Sequence, residues 1–244
     1  MNKKNKNPKK ESNPQILDQQ SKIKLLAQLD VTEKLKFLRK ILLIWLAWQS
    51  VIVLSCFLIY LKLPFLLPLQ RVFDSDLLLM LFLCITVILL YFGSRNIKQK
   101  DQKTAKIQLI SIIIAQTLLY SMITNKLVEN SINFLLIHFM QLIVIANLLL
   151  YFRNAIEINH LIYFKQMFWY SGILIAAEFF FTKSTSINTL PGMIIIGSIL
   201  GFGTFALRSI EAIIDGKFNL NQEQTSLGSV LAYTNLLLPN RKSE

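Results

Sequence analysis

Polar and apolar positions in this chain are sorted into blocks. The opening block, "MNKKNKNPKKESNPQILDQQ", is rich in Lys and Asn. It predicts a segment without stable structure. It lacks the apolar core of a secretory signal and the Arg-rich, acid-poor character of a transit peptide. Next comes "SKIKLLAQLDVTEKLKFLRK", with apolar residues at roughly helical spacing among lysines. That spacing predicts a short amphipathic helix lying on a membrane surface, or a solvated helix leading into the next element. Six long apolar runs follow: Ile41–Tyr60, Leu77–Gly93, Ile107–Thr124, Ile132–Phe152, Met167–Thr182 and Leu190–Leu207. A bilayer crossing takes about 20 apolar residues. The shorter runs fit if the bilayer is thin or amphipathic ends extend them. A final stretch, Ser226–Pro239, has 14 residues and contains Asn235.

Linkers between the runs are short, and glycine and proline are sparse (8 and 6 residues). A single bundle over 39–239 is therefore expected. A basic tail, 1–38, precedes it, and a polar end, 240–244, follows.

Positive charge orients this bundle. With the N-terminus inside and six crossings, 22 of the 26 Lys and Arg residues fall inside. Only Lys62, Arg71, Lys126 and Lys183 fall outside. That asymmetry is the positive-inside pattern. A seventh full crossing by the last stretch would carry Arg241 and Lys242 outside. The expectation is that Ser226–Pro239 enters the membrane region, stays partly in it and is shielded by protein.

Composition agrees. Hydrophobic residues make up 53% of the chain, charged residues 16%, and the mean hydropathy is +0.48. This is the make-up of a polytopic membrane protein rather than a soluble domain, where about 25% of residues are charged. The net charge of +12 raises a nucleic-acid reading. Its placement beside apolar runs argues against that reading and for contact with a bilayer. Cys56 and Cys84 both lie inside apolar runs and read as packing residues.

Few residues carry candidate chemistry. Glu178 lies toward the outer end of the fifth run, near Lys183, as a functional acid or as a snorkelling or paired one. His138 is central in the fourth run, either a hydrogen-bonded core histidine or part of a proton relay. Gln116, Gln141 and Asn147 read as interhelical hydrogen-bond formers. Arg208 and Glu211 are three apart at the inner end of the sixth run, as an ion pair or as a gate. Gly197 and Gly201 in "GSILGFG" give the small-x-x-x-small spacing that lets helices approach closely. No nucleophile–base pair, metalloprotease His/Glu spacing or phosphate-binding glycine loop is present, so neither an enzyme nor a bound metal or cofactor is expected.

Three stretches together resemble one family. "FLRKILLIWLAWQSVIVLSCFLIYL" is similar to the first span of the Lifeguard branch of the transmembrane Bax-inhibitor-motif family, with a basic pair and then a Leu-rich span carrying a central Gln. "LLLYFRNAIEIN" resembles a second family stretch and puts Glu157 where the family has Asp. "RSIEAIIDGKFNLNQEQTSLGSVLAYTNLLL" resembles a third. The shared order runs from Phe37 to Leu238.

The resemblance implies an all-α membrane protein: a six-crossing helical bundle plus a short central C-terminal seventh helix. It implies a proton-sensitive calcium leak with an anti-apoptotic role, in an internal eukaryotic membrane (endoplasmic reticulum, Golgi or mitochondrial). The family's sensor is a pair of aspartates. Two carboxylates in a poorly solvated site share a proton, because both cannot ionise cheaply. Aligned on Gly216-Lys217, Ser209 and Asn235 stand at those two positions. Neither titrates near neutral pH. A shift of register would bring Glu211 or Asp215 into the site instead. The expected function is then a non-catalytic scaffold or accessory subunit with protein partners in a membrane complex. The alternative is a retained calcium leak through Glu211, Asp215 or Glu178.

Overall fold

The computed structural model describes residues 25–95, 102–127, 130–154, 163, 165–169, 172, 173, 176 and 189–237. Every named element among them is helical, and the one β-type contact is the isolated bridge between Leu25 and Asn221. The architecture is all-α.

Helix α1 spans Val31–Tyr60. No glycine or proline interrupts its 30 residues, so nothing breaks the hydrogen-bond ladder. Asp30 precedes it in extended conformation, and Lys62 (φ 49°) and Pro64 end the run beyond it. The expectation for this stretch was an amphipathic helix at a membrane surface or a helix leading into the next element. The stretch from Val31 to Lys40 is the first turns of α1, and a boundary at 38/39 falls inside a continuous helix. Leu35, Phe37 and Leu38 are buried there. At 1.5 Å per residue α1 is about 45 Å long, so it outreaches a hydrocarbon core of about 30 Å.

A 3-10 turn, Pro64–Leu66, leads into α2, Leu67–Phe73. Helix α3 is Asp76–Arg95. The pair Pro64–Phe73 and Asp76–Phe92 is bent by 75°. The stretch Pro64–Phe73 lies between the first two expected runs, Ile41–Tyr60 and Leu77–Gly93. Phe65 is 74% exposed, and Leu67, Leu69 and Val72 are also exposed. Cys84, expected to pack inside, is exposed on α3, whereas Cys56 is buried. Alternate faces of α3 meet protein and surroundings, and composition alone does not say which face a small apolar residue takes.

Helices α4, Gln102–Lys126, and α5, Ser131–Asn154, extend the third and fourth expected runs at both ends. The sixth run becomes α6, Thr189–Ile196, a π-helical segment, Gly197–Phe202, and α7, Gly203–Ile214. Helix α8 is Thr225–Leu237.

Four helices are long and apolar enough to cross a membrane: Val31–Tyr60, Gln102–Lys126, Ser131–Arg153 and Gly192–Ile214. The bent pair makes a fifth if it counts as one span. Most of the expected fifth run, Met167–Thr182, lies outside the described residues. These helices suit a multi-pass membrane protein in contact with lipid.

Helix α8 has 13 residues, about 20 Å of helix, too short to cross. It packs against α1, α3, α4 and α7. Every residue from Ser226 to Ala232 is buried. A helix buried all round needs small residues wherever a neighbour comes close. Gly228 is one: a Cβ there would lie 3.0 Å from Phe37 Cζ and 3.1 Å from Ile41 Cδ1. The Trp45 indole donates to the Ser229 carbonyl at 3.1 Å and ties α8 to α1.

Two sets of polar contacts mark the ends of the bundle. At one end Leu26 N donates to Leu220 O at 2.7 Å. Gln222 bonds Glu33 there, and Gln102 Nε2 donates to Glu223 O at 3.0 Å. Arg39 donates to the carbonyls of Phe152 and Arg153 at 3.0 and 3.1 Å. It thereby satisfies groups that a helix C-terminus leaves open. At the other end Lys126 bonds Asp76 at 2.6 Å and Asn125 bonds Asp74 at 2.7 Å. The segments expected inside thus meet one another at one end.

Candidate functional site

The site is built by the turn between α7 and α8. Gly216, at φ 87°, takes the left-handed conformation that ends α7. Gly216 N donates to Ile213 O at 3.2 Å and Lys217 N to Ala212 O at 3.1 Å. This is the Schellman pattern, with Gly216 just past the helix and Lys217 after it. Downstream, Asn221 Oδ1 accepts from the Glu223 and Gln224 amides at 3.1 and 3.2 Å. Gln224 Oε1 accepts from Asn221 N at 3.1 Å in return. That reciprocal pair has the bonding of a capping box and fixes the turn just ahead of α8. The turn is thus fixed at both ends.

Ser209 on α7 is fully buried, and its hydroxyl donates to the Ala232 carbonyl on α8. Asn235 Nδ2 donates to Ser209 Oγ at 3.3 Å. The other side of the same amide, Oδ1, accepts from Lys217 Nζ at 2.8 Å. The ammonium also lies 5.6 Å from the centre of the Phe218 ring, within cation–π range. Asn235 is one turn from the end of α8, where open carbonyls favour a cation. The two positions that the sequence alignment paired are therefore in contact, and a lysine joins them. Chemically this is a neutral hydroxyl–amide pair closed by a fixed positive charge. Neither the hydroxyl nor the amide is an acid–base group.

Other expected residues fall elsewhere. Arg208, just before Ser209, and Asp215, just past the end of α7, are exposed, and Glu211 between them is half-buried. Glu157, Glu178 and His160 lie outside the described residues. Gly197 and Gly201 do not form a helix-packing seam among the described residues: a Cβ at either would meet nothing within 4 Å. They fall in the π-helical segment Gly197–Phe202. The close approaches are at Gly203, where a Cβ would sit 2.5 Å from Tyr163 Oη, and at Gly228.

A second polar cluster lies between α1 and α5. Gln49 Nε2 is 3.1 Å from Gln141 Oε1 and 3.2 Å from the His138 carbonyl. His138 Nδ1 is 3.1 Å from Gln141 Oε1 and from Gln49 Nε2. The His138 Nε2 is buried with no partner among the described residues. Gln116 Nε2 donates to Tyr233 Oη at 3.0 Å and ties α4 to α8. No group of three or more His, Cys, Asp or Glu among the described residues is placed to hold a metal ion. Sequence reasoning missed Lys217, Gln49 and Tyr233 as partners. The Gly-Lys pair closing an apolar run was the available signal for the first.

No family model matches the chain, and no curated protein or solved structure matches it.

Proposed function

We propose that this chain is a multi-pass membrane protein of the Bax-inhibitor/Lifeguard kind whose titratable sensor has become a neutral clasp. In that reading it serves as a non-catalytic scaffold or accessory subunit of a membrane complex. Its home is an internal eukaryotic membrane, endoplasmic reticulum or Golgi or mitochondrial inner, with the N-terminus on the positive-inside face.

One observation carries the reading: Asn235 bridges Ser209 and Lys217. A shared-proton switch needs two acids forced together. A hydroxyl and an amide offer neither a titrating proton nor the negative charge a hard cation prefers. The ammonium of Lys217 adds repulsion toward any cation approaching from that end. What remains is a latch that holds α8 in the bundle.

The test is calcium flux through the purified protein in liposomes across about pH 6 to 8, the range a shared carboxylate proton reaches. The wild type is expected to be silent. Ser209→Asp/Asn235→Asp alone is expected to stay nearly silent, because Lys217 pairs with the new acid at position 235. Adding Lys217→Gln is expected to produce a pH-dependent leak. In its native membrane the protein is expected to migrate with a larger complex at fixed stoichiometry. A pH-dependent leak from the wild type overturns the reading and moves attention to Glu211 and Asp215.

A further inference from the structure

The stretch between α1 and α3 is bracketed by charge. Lys62 precedes it, and Asp74 and Asp76 follow it. Lys126, at the end of α4, bonds Asp76 Oδ1 and the Asp74 carbonyl, each at 2.6 Å. Charged side chains stay out of a hydrocarbon core. Both ends of the stretch therefore sit at one interface, the one opposite the N-terminal end of α1.

Within this stretch α2 is a helix of its own and not the first part of α3. Ser75 Oγ accepts from Leu78 N at 3.4 Å, which starts α3 afresh. Helix α3 has 20 residues, about 30 Å, enough to cross without α2. A crossing helix is tilted by about 20° on average from the membrane normal. The stretch Pro64–Phe73 is bent by 75° from α3, so α2 lies near the membrane plane.

One face of α2 is held by protein. Gln70 and Phe73 are buried. Gln70 Nε2 donates to Ile59 O at 3.3 Å, and Asn125 Nδ2 donates to Gln70 O at 3.1 Å. Phe73 packs with Ile59 and Met122. The opposite face has Leu67, Leu69 and Val72 exposed, and Phe65 is exposed just ahead of it. At about 100° per residue, Leu69 and Arg71 point about 160° apart, on either side of the held face. One orientation thus sends Arg71 toward water and Leu69 toward the apolar layer.

Two observations say what covers the free face. It is continuous with the exposed apolar faces of the crossing helices, at Leu58 on α1 and at Leu77 and Met80 on α3. Lys62 and Arg71 are exposed and in no ion pair among the described residues. Lipid phosphates supply that counter-charge at the depth where the apolar layer begins.

We propose that α2 is an in-plane anchor that docks on the interfacial layer of the bilayer, with Leu69, Val72 and Phe65 among the upper acyl chains and Arg71 at the phosphates. The anchor rests on the chain being a multi-pass membrane protein, and the test separates the two.

The purified full chain is placed in phosphatidylcholine vesicles with one nitroxide label at a time. Native Cys84, exposed midway along α3, carries the reference label, and buried Cys56 stays unlabelled. The other labels go on Phe65→Cys, Leu69→Cys, Val72→Cys and Arg71→Cys, each combined with Cys84→Ala. All four positions are exposed, so the held face of α2 stays intact. Spin relaxation by oxygen and by a water-soluble nickel chelate reports depth. Oxygen is expected to dominate at Cys84, near the middle of the bilayer. It is expected to dominate at 65, 69 and 72 as well, at a depth of about 5–10 Å. At 71 the nickel chelate is expected to dominate. Nickel dominance at 65, 69 and 72 with Cys84 deep overturns the anchor alone. Nickel dominance at Cys84 overturns the membrane reading and the anchor with it. Labels on α2 that neither reagent reaches show a protein over this face and overturn lipid as its occupant. Labels on α2 as deep as Cys84 overturn the in-plane placement, and oxygen dominance at 71 overturns the orientation.

Discussion

Ser209 and Asn235, 26 positions apart, hydrogen-bond at 3.3 Å between α7 and α8. The contact exists because α7 ends at Gly216 in a turn that reverses the chain. Lys217, the next residue, then folds back to the far side of the same amide. Asn235 is the shared partner of the other two, and Ser209 is held as well by the Ala232 carbonyl.

Removing one member should therefore expose the others. Lys217→Met is expected to lower stability by about 1–2 kcal/mol, a charged hydrogen bond discounted for partial exposure. Asn235→Ala should cost a similar amount. The double variant should cost less than the sum, with a coupling of about 1 kcal/mol. Thermal unfolding in detergent measures all three. Strict additivity would show that the lysine and the amide do not stabilise each other.

Glycines give a sharper contrast. Gly228→Val is expected to cost about 1–3 kcal/mol, because the new atoms meet Phe37 and Ile41. Gly197→Ala and Gly201→Ala meet open space. Each is expected to be neutral or to stabilise by up to about 1 kcal/mol, as alanine replaces glycine within a helix. Melting curves of the three variants decide. If the two alanine variants destabilise, that face is covered by residues outside those described.

These glycines show where sequence and structure part. Apolar runs predicted α3, α4 and α5 closely, and the end of α1, because a long apolar run has one low-energy backbone in a membrane. The short last stretch was legible for the same reason: its length and Asn235 ruled out a plain crossing. What lies between helices was not legible. The spacing of Gly197 and Gly201 matched a packing motif, yet a Cβ at either meets nothing within 4 Å among the described residues. Gly228 carries no motif and proves to be the contact. Ser209 and Asn235 were paired through a family resemblance, whereas Lys217 needed the geometry of the turn. The onset of α1 was placed too late, since lysines on its first turns masked a helix that continues without a break.

Leu26 offers a test of that onset. It is fully buried, and its backbone amide bonds Leu220. Leu26→Ala is expected to cost about 2–4 kcal/mol. The loop over 215–224 should gain hydrogen exchange before α4 or α5 does. Exchange that rises evenly across all helices would argue that the segment stabilises the bundle as a whole and does not pin this loop.

Gln49 holds the second cluster together. Gln49→Leu removes the donor to Gln141 and the His138 carbonyl. It leaves two acceptors without that partner, at an expected cost of about 1–3 kcal/mol. Adding Gln141→Leu should recover part of the loss, because one stranded acceptor goes with it. Detergent melts of the single and double variants check the order. A double variant less stable than either single would count against a shared network.

Helix α8 also sets an order of assembly. It follows α1, α3, α4 and α7 in the chain, yet it fills the space among them. Those helices must therefore stand in the membrane around an unfilled socket until the chain beyond Gln224 arrives. The socket has to admit a 13-residue helix and then close on it. Losing the stretch after Gln224 would take out the middle of the molecule and leave its periphery in place, so a late truncation here would be a core lesion.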